Sequence, residues 1–165
     1  MILADAYRIE VNAPCPGWAR DCAAAETLAA EAARLTLLRG EAPGAAVVDI
    51  TLTDDGEQRA LNRTWRGKDA PTNVLAFPAA DPDTPVPPGA PLLLGDVVLA
   101  FETVRREAAE QDKTLADHLR HLVVHGVLHL LDYDHENAAE AAIMEAREIT
   151  ILSELGVSNP YRDTM

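Results

Sequence analysis

The sequence predicts a single α+β domain. Three observations carry that prediction. Runs rich in apolar and β-branched residues all end by Ala100, and everything from Phe101 onward has helical spacing, so strands come first and helices last instead of alternating regularly. The 165 residues suffice for one globular domain and are short for two. A stretch from 79 to 91 holds five of the eleven prolines, yet strand signals resume at once after it. It therefore reads as a surface loop and not as a linker between domains.

In chain order, Tyr7 to Val11 reads as an opening strand, punctuated by Pro14 and Pro16. Trp18, Cys22, Ala25, Ala29, Ala32 and Leu35 recur at helical spacing and predict one helix, with Gly40 as its stop signal. Ala45 to Thr53 is β-branched and strand-like. Asp54 and Asp55 offer capping oxygens for a helix from about Glu57 to Trp65, ended by Gly67 and Pro71. Asn73 to Phe77 and Leu92 to Ala100 are two further strands, the second interrupted by Gly95. A helix follows from Phe101 to about Gln111. Thr114 can cap the next, to about Leu131, and Asn137 a last one, to about Leu155. The expected architecture is about four strands packed against about five helices, with a frayed tail over residues 157–165.

The formal net charge is −13, which by itself disfavours a polyanionic partner. Charge is local at a site, however. Arg59, Arg63, Arg66 and Lys68 stand in a ten-residue segment that holds no acid, so a basic face on an acidic body is expected. Cys15 and Cys22 lack the C-x-x-C spacing and read as reduced thiols. No apolar run approaches the roughly 20 residues that span a bilayer. The N-terminal segment has no basic start followed by an apolar stretch. No membrane association or secretory signal is expected, and the cytosol is the expected location.

All five histidines fall between 118 and 135. His125 and His129 are four apart, so on a helix they share one face. His135 cannot share it, but the chain can turn through Leu131 to Asp134 and bring His135 back. Three neutral imidazoles suit a zinc ion and leave a fourth position open, as catalytic rather than structural sites do. The same donors accept Ni²⁺ or another divalent ion. His121 is expected to pack or to support the ligands from behind, and His118 to be solvated. The H-E-x-x-H peptidases place a Glu base after the first ligand. Here that position is Gly126, which argues against a peptidase.

The segment HGVLHLLDYDH resembles the signature H-G-x-L-H-L-x-G-Y-D-H of the YbeY family of bacterial ribosomal-RNA maturation endoribonucleases. Leu61 to Pro78, LNRTWRGKDAPTNVLAFP, is similar to a second family block, with Trp65 for the usual Tyr and Ala76 for the usual Ser. Leu94-Gly95-Asp96-Val97 looks like a third. The resemblance implies an α+β fold with a mixed four-stranded sheet. It also implies a zinc-dependent endoribonuclease that acts on single-stranded RNA, trims the 3′ end of small-subunit ribosomal RNA and serves ribosome quality control. Ribosomal small-subunit proteins or assembly factors are further candidate partners. The family's metal ligands map onto His125, His129 and His135, and its functional arginine onto Arg66.

A planar guanidinium can bind two oxygens of a reacting phosphate, so Arg66 is expected to be catalytic with the three histidines. Arg63, Arg66 and Lys68 are the candidate RNA contacts. Asp96 is expected to orient a ligand histidine or cap the following helix. Asp132 stands where the family has glycine. Glycine there signals positive φ, which Asp tolerates better than most residues. It also brings a carboxylate near the metal, where it can repel a phosphate or act as a base; Asp134, Asp132 and the metal hydroxide itself are the candidate bases. The alternative reading is a ribosome-assembly factor with a structural metal and no cleavage.

Overall fold

The computed structural model describes residues 7–79, 90–133 and 137–161. Four strands form one mixed sheet: β1 (Arg8–Asn12), β2 (Ala46–Thr53), β3 (Val74–Pro78) and β4 (Leu92–Ala100). Their order is β1-β2-β4-β3. The first three in that order run parallel, and β3 pairs antiparallel with β4 at the edge. The α+β expectation holds. Much of the 79–91 segment, residues 80–89, lies outside the described residues.

Six helices accompany the sheet among the described residues: α1 (Gly17–Asp21), α2 (Ala25–Arg39), α3 (Asp55–Arg66), α4 (Phe101–Glu110), α5 (Leu115–Leu130) and α6 (Ala138–Glu154). The extra helix corrects the single one expected from Trp18. Cys22 is extended, with φ −148° and ψ 91°, and breaks the run. Tertiary structure overrides the spacing here. Trp18 is fully buried, its Nε1–H donates to Thr53 O at 2.9 Å, and its ring meets Phe101 edge-on. The alanine face of α2 (Ala25, Ala29, Ala32 and Ala33) is buried where that helix packs on α5. One straight helix cannot serve both anchors.

The caps follow the sequence. Asp54, Thr114 and Asn137 each accept the backbone N–H three residues on, at 2.9–3.1 Å. Gly67 closes α3 at φ 70°. Strand alternation then sorts the core. Val48, Ile50 and Leu52 of β2, with Val97 and Leu99 of β4, join the buried cluster with α2, α5 and α6. On the opposite face, Gln58 of α3 donates Nε2–H to Val98 O at 2.9 Å.

That opposite face also carries an in-register row, Glu10, Asp49 and Asp96, one carboxylate on each parallel strand. Burial and the neighbouring Asp49 push the Asp96 carboxyl above its usual range. Val97 is the residue that meets α5, so Asp96 points away from the histidine helix. The α4 cap position is Ala100. Both expected roles of Asp96 are thereby corrected.

Part of the expected tail, residues 157–161, lies within the described residues. Val157 is buried, and its N–H bonds to Leu152 O at 2.8 Å. Tyr161 folds back onto α6, where its hydroxyl donates to Glu148. Residues 162–165 lie outside the described residues. Among the described residues, no helix is long and apolar enough to cross a membrane.

Candidate active site

A cavity of about 740 Å³ opens at the edge strand β3, between the C-terminal end of α3 and the C-terminal half of α5. Trp65 and Arg66 line it from α3, His125 and His129 from α5, and Asp132 and Tyr133 from the turn after α5. The histidine spacing does what helical geometry requires. The two rings lie 4.7 Å apart between centroids at 79°, one turn apart on one face.

Gly126 lets α5 come this close to the sheet. A Cβ there would stand 2.8 Å from Val97 Cγ1 and 3.5 Å from Val74 Cγ2. The missing peptidase glutamate is thus a steric matter as well as a chemical one.

Helix α5 ends at a tight turn. Tyr133 N–H bonds to Leu128 O at 3.0 Å and Asp132 N–H to His129 O at 3.1 Å, the paired closure of a Schellman motif. Asp132 occupies its left-handed position at φ 72°. The backbone reason for a glycine there is therefore present, and Asp132 fills it with an exposed carboxylate on the cavity wall. Asp134 and His135 lie outside the described residues.

Behind the cavity, the side chain of Glu148 is fully buried. His125 Nδ1 is 2.7 Å from Glu148 Oε1, and Tyr161 Oη donates to Glu148 Oε2 at 2.5 Å. His121 Nε2 stands 3.6 Å from the same Oε1 and 3.4 Å from Tyr161 Oη. Burial alone raises the Glu148 pKa. The nearby His121 and the hydrogen bonds from His125 and Tyr161 more than reverse this and bring it to about 2. Burial and Glu148 push the Tyr161 hydroxyl well up. His121 has the supporting, packed position expected of it.

Sequence reading missed Glu148 and Tyr161. The available signal was an acid on an apolar helical stripe. Met144, Ile151 and Leu152, at four before, three after and four after Glu148, are all buried.

The other expected residues divide. Arg66 lines the cavity, whereas Arg63 and Lys68 are not among its lining residues. The basic run is partly neutralised by the residue that follows it. Asp69 accepts from Nε and Nη2 of Arg59, at 2.8 and 3.0 Å, and stands 4.0 Å from Arg63. His118 is not solvated but 2 % exposed, with Nε2 2.9 Å from Glu107 Oε1, which also accepts from Asn73 at 3.0 Å. It faces inward because it lies on the buried stripe of α5 with Leu119 and Leu122. Trp65 is 69 % exposed, and its ring lies 6.3 Å from that of Phe77, also on the cavity wall.

The sequence profile of the family described as Endoribonuclease YbeY matches residues 19–156. The chain belongs to the YbeY family. A family member from Paramagnetospirillum magneticum is 55% identical over 155 residues, covering 93% of this chain and 94% of that protein. One from Azorhizobium caulinodans is 52% identical over 155 residues, covering 93% and 95%. Both are named Endoribonuclease YbeY. The solution structure of TM1509 from Thermotoga maritima superposes with a TM-score of 0.58 at 23% identity, covering 94% of this chain and 99% of that one. This last likeness concerns the fold.

Proposed function

We propose that this YbeY-family protein is a zinc-dependent endoribonuclease. It cuts single-stranded RNA and acts in ribosomal RNA maturation, at the 3′ end of the small-subunit species, and in ribosome quality control. Relatives named as endoribonucleases support the reaction class. They do not favour the alternative of a non-catalytic assembly factor. The site assignment rests on one observation: the paired imidazoles of His125 and His129 face the same cavity as Arg66.

The donor set fits a zinc-type ion. Two imidazoles meet edge to face on one helix face, and the first has its second nitrogen on a buried carboxylate, the usual outer support of a ligating histidine. Among the described residues no three potential donors converge, and His135, outside them, is the proposed third ligand. A bound ion of this kind supplies a water activated for attack at neutral pH.

The chain's own groups do the rest. The Arg66 guanidinium binds the scissile phosphate and offsets charge that builds on its oxygens. Asp132 places a carboxylate on the same wall to receive a proton. The exposed indole of Trp65, next in sequence to Arg66, offers a face on which a base of the bound strand stacks.

The test is cleavage of a single-stranded RNA by purified protein, before and after chelation. Chelation, His129→Ala and Arg66→Ala should each abolish cutting. Cutting that persists in all three would remove the proposal.

A further inference from the structure

Glu148 stands in an unusual position for a surface-rich helix such as α6. It is a fully buried carboxylate and is not itself among the residues that line the cavity. What it touches is His125. Its two oxygens are used differently: Oε1 faces His125 and His121, and Oε2 takes the Tyr161 hydroxyl. An ionised carboxylate only accepts hydrogen bonds. At 2.7 Å, His125 Nδ1 is then the donor, and in the neutral ring this leaves the lone pair on Nε2.

Tyr161 is the second half of the arrangement. It reaches Glu148 because the chain reverses after α6, through Gly156 at φ 79° and a buried Val157. Tyr161 N–H bonds to Asn159 Oδ1 at 2.8 Å, which holds this turn. The T-shaped contact of Tyr161 with His121, 5.5 Å between centroids, closes the group from the outside.

We propose that Glu148, fixed by Tyr161 of the C-terminal segment, is a positioning residue that locks His125 in one ring orientation and one tautomer, Nδ1–H toward Glu148 and Nε2 toward the metal. This deepens the proposed function and rests on it for the identity of the ion. The ring geometry itself is set by groups of the protein. Tyr161 thereby becomes part of the active site, although its own contacts are with Glu148 and His121 and not with the reacting atoms.

The experiment reads the imidazole nitrogens of metal-free protein by long-range ¹H–¹⁵N NMR, and Zn²⁺ affinity by competition with a chelating dye. In the wild type, His125 should appear as the Nδ1–H tautomer. Glu148→Gln, which keeps the shape, should mix the tautomers and weaken Zn²⁺ binding by about 10–100-fold, the usual effect of losing such a support. Tyr161→Phe should keep the tautomer and weaken Zn²⁺ binding by a smaller factor.

A wild-type His125 in the Nε2–H form would overturn the proposal. So would a folded Glu148→Gln protein with unchanged tautomer and unchanged Zn²⁺ affinity. If that variant does not fold, Tyr161→Phe decides, and unchanged affinity there counts against the proposal. Absence of RNA cleavage by wild type would sink the endoribonuclease reading alone, because the tautomer is read without metal or substrate.

Discussion

Gly126 of α5 and Val97 of β4 touch so closely that a Cβ on the glycine would stand 2.8 Å from Val97 Cγ1. The contact sets the height of α5 above the sheet and so the depth of His125 and His129 in their cavity. Valine is stiff at χ1 and cannot swing its methyl away cheaply.

Gly126→Ala should therefore destabilise the protein. Overpacking costs about 1–3 kcal/mol and better helix propensity returns about 1 kcal/mol, so the net loss is about 1 kcal/mol. Urea unfolding should show a lower midpoint with an unchanged slope. An unchanged or higher midpoint would mean that Val97 gives way freely.

Asp132 holds a left-handed conformation at the end of α5. Asp132→Gly should be at least as stable as the wild type, and Asp132→Ala less stable than the glycine variant by about 1 kcal/mol. Thermal unfolding of the three proteins checks the order. An alanine variant as stable as the glycine variant would contradict the turn geometry.

His118 makes stability depend on pH. Burial lowers its pKa below the ordinary 6.5, and the bond to Glu107 only partly opposes this. As pH falls, the unfolded chain takes up a proton at this histidine before the folded protein does. The contribution is full above pH 6.5 and fades as pH falls through the lower folded value. Urea midpoints measured above and below that pH should fall less for His118→Gln than for wild type. Equal falls would show that His118 is not the source.

Trp65→Ala should leave the fold intact, since the side chain is 69 % exposed. Stacking of one base is worth about 1–3 kcal/mol. KM for a short single-stranded RNA should therefore rise about fivefold or more, with kcat nearly unchanged. A variant with wild-type KM would remove Trp65 from the RNA path.

The elements most legible in the sequence were those with local causes. Asp54, Thr114 and Asn137 are side chains that cap their own helices, and each is found doing so. The spacing of His125 and His129 is equally local, and their shared face follows from it. What sequence reading missed depends on distant partners. Trp18 leaves the helix of its own periodicity because Thr53 O, 35 residues away, takes its N–H. His118 was expected in solvent, but Glu107 on the preceding helix offers it a partner inside. Arg59 belonged to an acid-free basic run until Asp69, ten residues on, folded back onto it. Glu148 and Tyr161 carry no motif that names His125 as their target.

The carboxylate row of Glu10, Asp49 and Asp96 crosses the sheet on the face away from the histidine helix. A chain with a net charge of −13 must still receive a polyanion if it is to cut RNA. Repulsion from such a row acts over about one Debye length, roughly 8 Å at physiological salt. A row of that reach would disfavour RNA at its own face and leave the β3 edge, where the cavity lined by Arg66 opens, less opposed. Excess negative charge would then sharpen where the RNA lands, and lowering it by neutral substitutions in the row would admit RNA less selectively.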